Sequence, residues 1–405
     1  MTVQSNVQTT IAYKAETTFG TPPTATGAQF LRRVSSNLAP VKDTFASNEV
    51  RSDFQVNDVR HGMRSARGTI EGELSTLTYD DFLEAALRGT WAAGVSTSPA
   101  DFATGVTIAA AGGGTQSSLT FAGAGSLITK GFKIGDVIRT TGFTLAANNS
   151  ASAGNLRITA LTATVMTVYP AITAAAQQAT GWAVTAPGKK LTIGTQKRSF
   201  TIEQALADAT LWESYSGVRV GGMTISAQPN GLATCSWELM GQNFNMGTSA
   251  AYFTTPTAET TTGIVSGVDG FLRLNGKEQG VVTGFQLNLT NNLSMTPVIG
   301  STFGPDVFYG RLVATGSVSA YLEDASLINA FINESEVDLV AVLEASGAAP
   351  QDFLSFNMQR IKFTGASKTI GADGGVIAQF PFQALLKSGA GNADVSTLVI
   401  QRSNT

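Results

Sequence analysis

Hydrophobic and polar residues alternate along residues 67–74, RGTIEGEL, and the pattern then becomes helical. Ile70 and Leu74 lie on one face of the strand that this alternation predicts. A few residues later, four apolar side chains have the spacing of one buried helix face. They are Phe82, Leu83, Ala86 and Leu87. The pattern predicts a strand followed closely by a short amphipathic helix.

The same strand-to-helix pattern recurs about 248 residues later. Val318 and Leu322 take the places of Ile70 and Leu74, and the connection to the helix is about three residues shorter. The apolar face of this second predicted helix consists of Leu327, Ile328, Phe331 and Ile332.

A predicted hairpin also occurs twice, at residues 218–239 and again at residues 361–382, about 143 residues later. Each contains a turn signal, Asn230-Gly231 in the first and Asp373-Gly374 in the second, between alternating strands. Strand, helix and hairpin recur in the same order, which predicts a tandem duplication.

The spacing between the repeats falls from about 245 to about 143, so the first repeat holds about 102 additional residues. From about Val95 to Lys190 the composition changes to Gly, Ala, Ser and Thr. Alternation continues within this stretch, which predicts a small all-β insert with junctions near Ala93 and Lys189. Its predicted core residues are Val137, Leu156, Ile158, Leu161, Met166 and Val168.

The predicted fold class is therefore mainly β. It comprises two tandem domains, each a β-sandwich or barrel with one flanking α-helix, and a small all-β inserted domain. We call residues 1–94 with 190–250 the first repeat, residues 95–189 the insert and residues 251–405 the second repeat.

Composition narrows the function classes. Hydrophobic residues make up 43% of the chain and charged residues only 14%, against roughly 25% charged in an average globular protein. Much of the surface must therefore be neutral and polar, which suits contact between copies of the chain. The net charge of -3 argues against a protein that grips nucleic acid, since that grip comes from clustered Lys and Arg. It does not argue against a protein that DNA slides past.

Candidate chemistry is sparse. The one cysteine, Cys235, excludes an internal disulfide, and the one histidine, His61, excludes a His-rich zinc site. The sequence contains no phosphate-binding loop, nucleophile elbow or zinc-protease motif. Asp80 and Asp81 lie in the first turn of the predicted helix, where they suit the helix dipole. We therefore expect no enzyme activity, cofactor or metal. The N-terminus has no secretory pattern, and we expect a cytosolic product without a membrane span.

Four features in order resemble a known family: the arm AYKAETTFGTPP, a strand pair around a long polar loop, the GTIEGEL strand with its helix, and a hairpin closed by Asn-Gly. This order is similar to that of the tail tube proteins of long-tailed bacteriophages, whose fold is a β-sandwich with one flanking helix. The resemblance covers about residues 10–90 and 190–390, and the insert lies outside it.

The resemblance implies a structural virion protein, assembled in the host cytoplasm, that forms stacked rings around a channel for double-stranded DNA. Tube domains of this family form rings of six, so a duplicated chain implies a ring of three chains with pseudo-sixfold symmetry. The implied partners are further copies of the chain, the tape measure protein, and the tail terminator and baseplate proteins. The insert would decorate the tube exterior.

In the family, a long loop reaches the neighbouring ring. The corresponding stretches here are Lys42–Met63, which lacks a helical period, and Asn291–Tyr309. Long loops without secondary structure are usually functional or disordered, and a flexible surface loop is the alternative. The candidate stacking residues are Phe45, Arg51, Phe54, Arg60, Phe303 and Tyr309.

Strand parity identifies candidate channel residues. If Ile70 and Leu74 face the core, the alternate side chains Thr69, Glu71 and Glu73 face the channel of a closed inner barrel. Carboxylates there would repel phosphates. The matching positions Ser317, Ser319 and Tyr321 of the second repeat carry no charge, so the lining would be uneven. An exposed outer face is the alternative reading.

Two other function classes remain open from the sequence. A receptor- or glycan-binding virion component, or an adhesin, would use the insert as its reader. An enzyme, such as a glycosidase with paired carboxylates, is the third class, although no such pair emerges.

Overall fold

A computed structural model describes residues 3–274, 277–278, 282–370, 374–389 and 391–403. The fold is mainly β, as predicted, and its strand ladders are antiparallel. The elements before the insert are β1 (Thr9–Ala15), β2 (Gln29–Phe30), β3 (Ser35–Ser36), β4 (Ala39–Ala46), β5 (Val59–Glu73) and α1 (Asp80–Leu87).

Two strands form what we call the neck of the insert, β6 (Ala92–Ala93) and β15 (Lys189–Thr192). The elements of the insert are β7 (Ser96–Thr97), β8 (Gly105–Ala111), β9 (Gln116–Ala122), α2 (Leu127–Lys130), β10 (Val137–Thr141), α3 (Ser150–Ala153), β11 (Leu156–Leu161), β12 (Val165–Tyr169), β13 (Ala175–Gln178) and β14 (Ala183–Thr185). The first repeat is completed by β16 (Phe200–Leu206), β17 (Leu211–Ala227), β18 (Thr234–Gly241) and β19 (Asn243–Thr248).

The second repeat contains β20 (Val265–Leu274), β21 (Lys277–Glu278), β22 (Val282–Thr290), β23 (Val313–Tyr321), α4 (Ser326–Ile332), β24 (Val337–Ala345), β25 (Phe353–Phe363), β26 (Ser367–Thr369), β27 (Ile377–Ala384) and β28 (Val399–Arg402).

The long strand β17 belongs to two sheets. Its first half pairs with β16 and β19, and its second half pairs with β18 and β22. Helix α1 packs between these sheets, where the ring of Phe82 lies 5.1 Å from Tyr13, 5.4 Å from Phe200 and 5.7 Å from Trp237, measured between centroids. The predicted face of α1 is fully buried, as are Ile70 and Leu74. This part of the sequence prediction is confirmed.

Strand registers recur between the repeats. Arg219 lies opposite Met240, and Lys362, 143 residues later, lies opposite Gln383. The register then shifts by one residue at the corresponding place in both ladders. A second shared shift lies in the ladders β16–β17 and β24–β25. Matched irregularities of this kind are expected of a duplicated unit, and they support the predicted repeat.

The two flanking helices differ in burial. The predicted buried face of α4 is wrong for Ile332, which is 65% exposed, and the other three residues of that face are only partly buried. Helix α1 is covered by the neck strand β15 and by the second repeat, where Nδ2 of Asn291 donates to the carbonyl oxygen of Ala86 at 2.9 Å. Burial of α1 therefore depends partly on a neighbouring repeat.

The predicted Asn230-Gly231 turn lies in the connection between β17 and β18. For the second hairpin, Asp373 of the predicted turn lies outside the described residues.

The insert forms a separate antiparallel sheet in the order β13-β8-β9-β12-β11-β10-β14-β7. Its core includes Phe102, Phe121 and Trp182, together with five of the six predicted core residues. Val137 differs from the prediction, because it packs against a small cluster of the second repeat. At the neck, the predicted junction residues Ala93 and Lys189 lie directly opposite each other in the β6–β15 pair.

A buried ion cluster joins the neck to the insert and the second repeat. Nζ of Lys190 lies 2.8 Å from Oδ1 of Asp136 and 3.0 Å from Oδ2 of Asp394. Burial alone would lower the pKa of Lys190, but the two carboxylates outweigh it and raise the pKa above its ordinary value. A further bond runs from Nδ2 of Asn155 to Oε1 of Glu344 at 2.8 Å. The insert is therefore fixed against the second repeat.

Candidate assembly surfaces

One sheet runs without interruption through both repeats, in the order β3-β5-β18-β17-β22-β23-β27. Directly opposed residues in an antiparallel sheet share a face. One row across these strands is polar throughout and solvent-facing: Ser35, Glu71, Ser236, Thr224, Asn288, Thr315 and Gln383. The adjacent row on the other face begins with Ile70, Trp237 and Met223, all buried. The repeats thus share one polar sheet face.

The candidate channel residues of the first repeat lie on this face. Glu71 is exposed and accepts a hydrogen bond from Oγ of Ser35 at 2.9 Å, and Glu73 and Thr69 are half-buried. Thr69 lies opposite Glu238, a third carboxylate that the sequence reasoning missed. The signal was available, since Glu238 follows Trp237 in the alternating run of β18.

The candidate channel residues of the second repeat lie on the same face. Ser317 is opposite Gln286, and Ser319 is opposite Gln379. Both serines are half-buried, whereas Tyr321 at the strand end is exposed. None of the second-repeat positions named on this face carries a carboxylate, so the named carboxylates of the face all belong to the first repeat.

The stretch Lys42–Met63 was predicted as a loop without secondary structure, and that prediction is wrong. β4 and β5 pair through most of it, with Phe45 opposite Arg60, and only residues 47–58 connect them. All residues of β4 are exposed. Neither face of β4 is buried, so the sequence carries no alternation to reveal the strand. We call residues 42–63 the hairpin arm.

The candidate stacking residues of the arm are at the surface. Phe54 is 99% exposed and Phe45 is also exposed. Arg51 binds Asp53 with Nη2 and Oδ2 2.8 Å apart, and this hydrogen bond holds the pKa of Asp53 below its ordinary value. Nε of Arg60 lies 2.6 Å from a carboxylate oxygen of a neighbouring residue of the arm. Sequence reasoning missed the exposed apolar residues Val50, Val56 and Val59.

The candidate stacking residues of the second repeat lie elsewhere. Tyr309 packs within the chain: its ring lies 5.5 Å from the guanidinium of Arg88 and 5.2 Å from that of Arg219. Burial raises the pKa of its hydroxyl, which donates to the carbonyl oxygen of Arg198 at 3.3 Å. Phe303 is half-buried, whereas the most exposed apolar residue of this loop is Ile299.

In the part of the chain that the structure describes, no group of three or more His, Cys, Asp or Glu side chains is arranged to hold a metal ion. No helix among these residues is long and apolar enough to cross a membrane.

Comparison with protein families matches residues 6–384 to the family described as phage tail tube protein. The match covers nearly the whole chain, including the insert, and the chain belongs to this family. It is a structural protein of the bacteriophage virion, and its place is the tail. Comparison with individual curated proteins finds no match.

Proposed function

We propose that the chain assembles with copies of itself into stacked rings, and that the stack forms the tail tube through which double-stranded DNA leaves the virion. The observation that carries the proposal is the polar face shared by both repeats. A sheet that already passes from one repeat to the next needs only further repeats in the same direction to close into a barrel.

Ring closure would follow from the two open edges of this sheet. Among the described residues, β3 and β4 pair only with β5 at one edge of the sheet, and β26 pairs only with β27 at the other edge. Unpaired edges expose backbone donors and acceptors, and closure of a barrel removes them. Because each chain supplies two repeats, three chains would complete a ring with pseudo-sixfold symmetry.

The polar face suits a channel for DNA. Most of its side chains are neutral Ser, Thr, Asn and Gln. Glu71, Glu73 and Glu238 repel phosphate, and the cations on the same face include Arg67 and Lys362. Six repeats would place these carboxylates in three separate patches around the channel. DNA would then slide past this surface without specific binding.

The exposed tip of the hairpin arm would join successive rings. Val50 and Phe54 in the first repeat and Ile299 in the second are apolar residues that the chain itself leaves in solvent. Their burial between rings would supply a favourable term of association. We expect the tape measure protein inside the tube and terminator and baseplate proteins at its ends. The insert, which packs against β24 and β25 rather than on the polar face, would lie outside.

Electron microscopy of the purified chain in negative stain tests the proposal. We expect tubes or stacked rings with a central channel, and a mass per ring of three chains. Particles that remain single chains under all conditions that favour assembly would contradict it, and rings of six chains would contradict the trimer.

A further inference from the structure

The repeats join within the chain along β17 and β22, beside an ion pair whose arginine side chain is buried. Nη2 of Arg219 lies 2.9 Å from Oδ1 of Asp306, a residue of the second repeat. The guanidinium lies over the ring of Phe19, 4.2 Å from its centroid, and the next residue, Val307, is fully buried. Residues 302–309 of the second repeat therefore pack on the first repeat as part of one fold.

The corresponding segment of the first repeat is the second limb of the hairpin arm. Since β5 and β23 repeat 248 residues apart, Asp58 corresponds to Asp306 and Val59 to Val307. Val59 is 54% exposed, whereas Val307 is fully buried. Asp58 pairs with Arg60 of its own arm, near solvent. The arm thus presents an acidic and an apolar residue whose counterparts bind a neighbouring repeat.

The surface that receives this segment within the chain has its own counterpart at the end of the second repeat. Lys362 corresponds to Arg219 in the repeated ladder, so a positive charge is kept at this position. Further along the strand, Ile370 is 73% exposed, whereas its counterpart Ala227 is buried beside β22. A surface of the same charge is therefore present in the second repeat, and at Ile370 it is open to solvent.

Backbone shape repeats as well. A Cβ on Gly222 would lie 2.8 Å from the carbonyl oxygen of Leu289 on the adjacent strand, so the close pairing of β17 with β22 requires glycine. The corresponding residue is also a glycine, Gly365, but the nearest atom to its Cβ position is a ring carbon of Pro381 at 3.2 Å. The edge at residues 364–370 keeps room for a strand that none of the described residues supplies.

We propose that another chain of this protein fills that edge. Its arm, whose limbs β4 and β5 pair in the single chain, then opens so that Asp58 and Val59 lie beside Lys362. The inference rests on the proposed ring and specifies its interface: the junction between chains repeats the junction inside the chain. A second copy is favoured over an unrelated partner for two reasons. The arm with Asp58 and the edge with Lys362 belong to the same chain and carry opposite charges, and the corresponding surfaces already bind each other between the two repeats. Such a head-to-tail contact repeats around a ring until it closes.

The internal junction also fixes the register. Thr224 lies opposite Asn288. Thr224 corresponds to Ser367. Asn288 of β22 corresponds to Ala39 of β4, because these two residues lie opposite matching positions of β23 and β5, respectively. Ser367 of one chain is therefore opposite Ala39 of the next. At the internal junction, the backbone N–H of Asn291 donates to the carbonyl oxygen of Gly221, so every second pair counted from these two residues is hydrogen-bonded. The Ser367–Ala39 pair corresponds to a position between them and is therefore a non-hydrogen-bonded pair.

A charge exchange tests the ion pair. Asp58→Lys and Lys362→Asp should each reduce the assembled fraction, measured by sedimentation, by roughly tenfold or more, because like charges then face each other. The double variant restores opposite charges and should recover most of the assembly. Single variants that assemble normally, or a double variant no better than either single one, would overturn the proposal.

Cysteine cross-linking tests the register independently. Ala39→Cys with Ser367→Cys should form disulfides between chains, since Cα atoms of non-hydrogen-bonded pairs lie about 4.5 Å apart. Ala39→Cys with Lys368→Cys is the matched control, because its side chains point to opposite faces of the sheet. The native Cys235 is buried and need not be removed. Equal cross-linking in the two variants would overturn the register.

The two proposals fail differently. If the unaltered chain forms rings or tubes while the charge exchange and the cross-link both fail, only this interface is wrong. If the unaltered chain never associates, both the interface and the proposed tube are wrong.

Discussion

Gly222 on β17 and Leu289 on β22 approach so closely that a Cβ on the glycine would lie 2.8 Å from the leucine carbonyl oxygen. This contact joins the two repeats. We expect Gly222→Ala to destabilise the chain by about 1–3 kcal/mol, because backbone on both strands must move to admit the methyl group. Urea denaturation, compared at the midpoint of the first transition, measures the effect.

Gly231→Ala is the matched control for this substitution. The nearest atom to a Cβ there is the Cβ of Gln228 at 3.8 Å, an ordinary contact. We expect a change within about 0.5 kcal/mol. Equal effects of the two alanines would mean that the junction between the repeats tolerates separation of its strands.

The sequence predicts elements well where one face is buried. Alternation around Ile70 separates the core face from the polar face, and the helical spacing identifies the buried residues of α1. Alternation does not predict β4, because both faces of this strand are exposed to solvent and its sequence therefore has no alternating pattern. Helical spacing also fails for Ile332, whose spacing matches a buried face but whose side chain lies at the surface of the described structure.

Side-chain roles that depend on distant residues could not be predicted. Tyr309 is an aromatic residue in a polar stretch, which favours an exposed contact, yet Arg88 and Arg219 converge on its ring from two other elements. Val137 alternates in step with the insert core, yet it faces Val340 across the boundary with the second repeat. Hydrophobic periodicity therefore identifies a buried side chain, but it does not identify the domain against which that side chain packs.

Lys190 holds two buried carboxylates together at the neck of the insert. Lys190→Met should cost about 3–5 kcal/mol of unfolding free energy at pH 7, because it leaves Asp136 and Asp394 uncompensated. Lys189→Met is the control, since the neighbouring lysine is exposed, and we expect a change within about 0.5 kcal/mol. Thermal and urea denaturation measure both variants.

The loss of unfolding free energy caused by Lys190→Met should become smaller as the pH falls. Burial already raises the pKa of Asp136 above its ordinary value, and loss of the lysine removes a positive charge that opposes this rise. With a folded-state pKa above that of the unfolded chain, the folded variant takes up the proton first as pH falls, so acid favours its folded form. A deficit that is constant from pH 7 to pH 4.5 would contradict this account.

The acidic part of the polar face should control how DNA passes through the tube. Glu71→Lys and Glu238→Lys should each make assembled tubes retain short duplex DNA at low salt, and retention should fall as salt rises. Cosedimentation across a salt series measures this. Glu259→Lys carries the same change of charge at an exposed position in the connection between β19 and β20, outside the strands of this face. If Glu259→Lys retains DNA equally well, the polar face does not line the channel.

The tip of the hairpin arm should govern stacking separately from ring closure. Phe54→Ser, and Ile299→Ser at the tip of the second repeat, each remove an exposed apolar side chain without touching the core. We expect rings to persist while tubes shorten or disappear, because only the contact between rings loses apolar area. Size-exclusion chromatography with negative-stain microscopy separates rings from tubes. Leu145→Ser, an exposed apolar residue of the insert, is the control and should leave tube length unchanged. Full-length tubes from both tip variants would show that stacking depends on other surfaces, and loss of the rings themselves would assign the tips to ring closure instead.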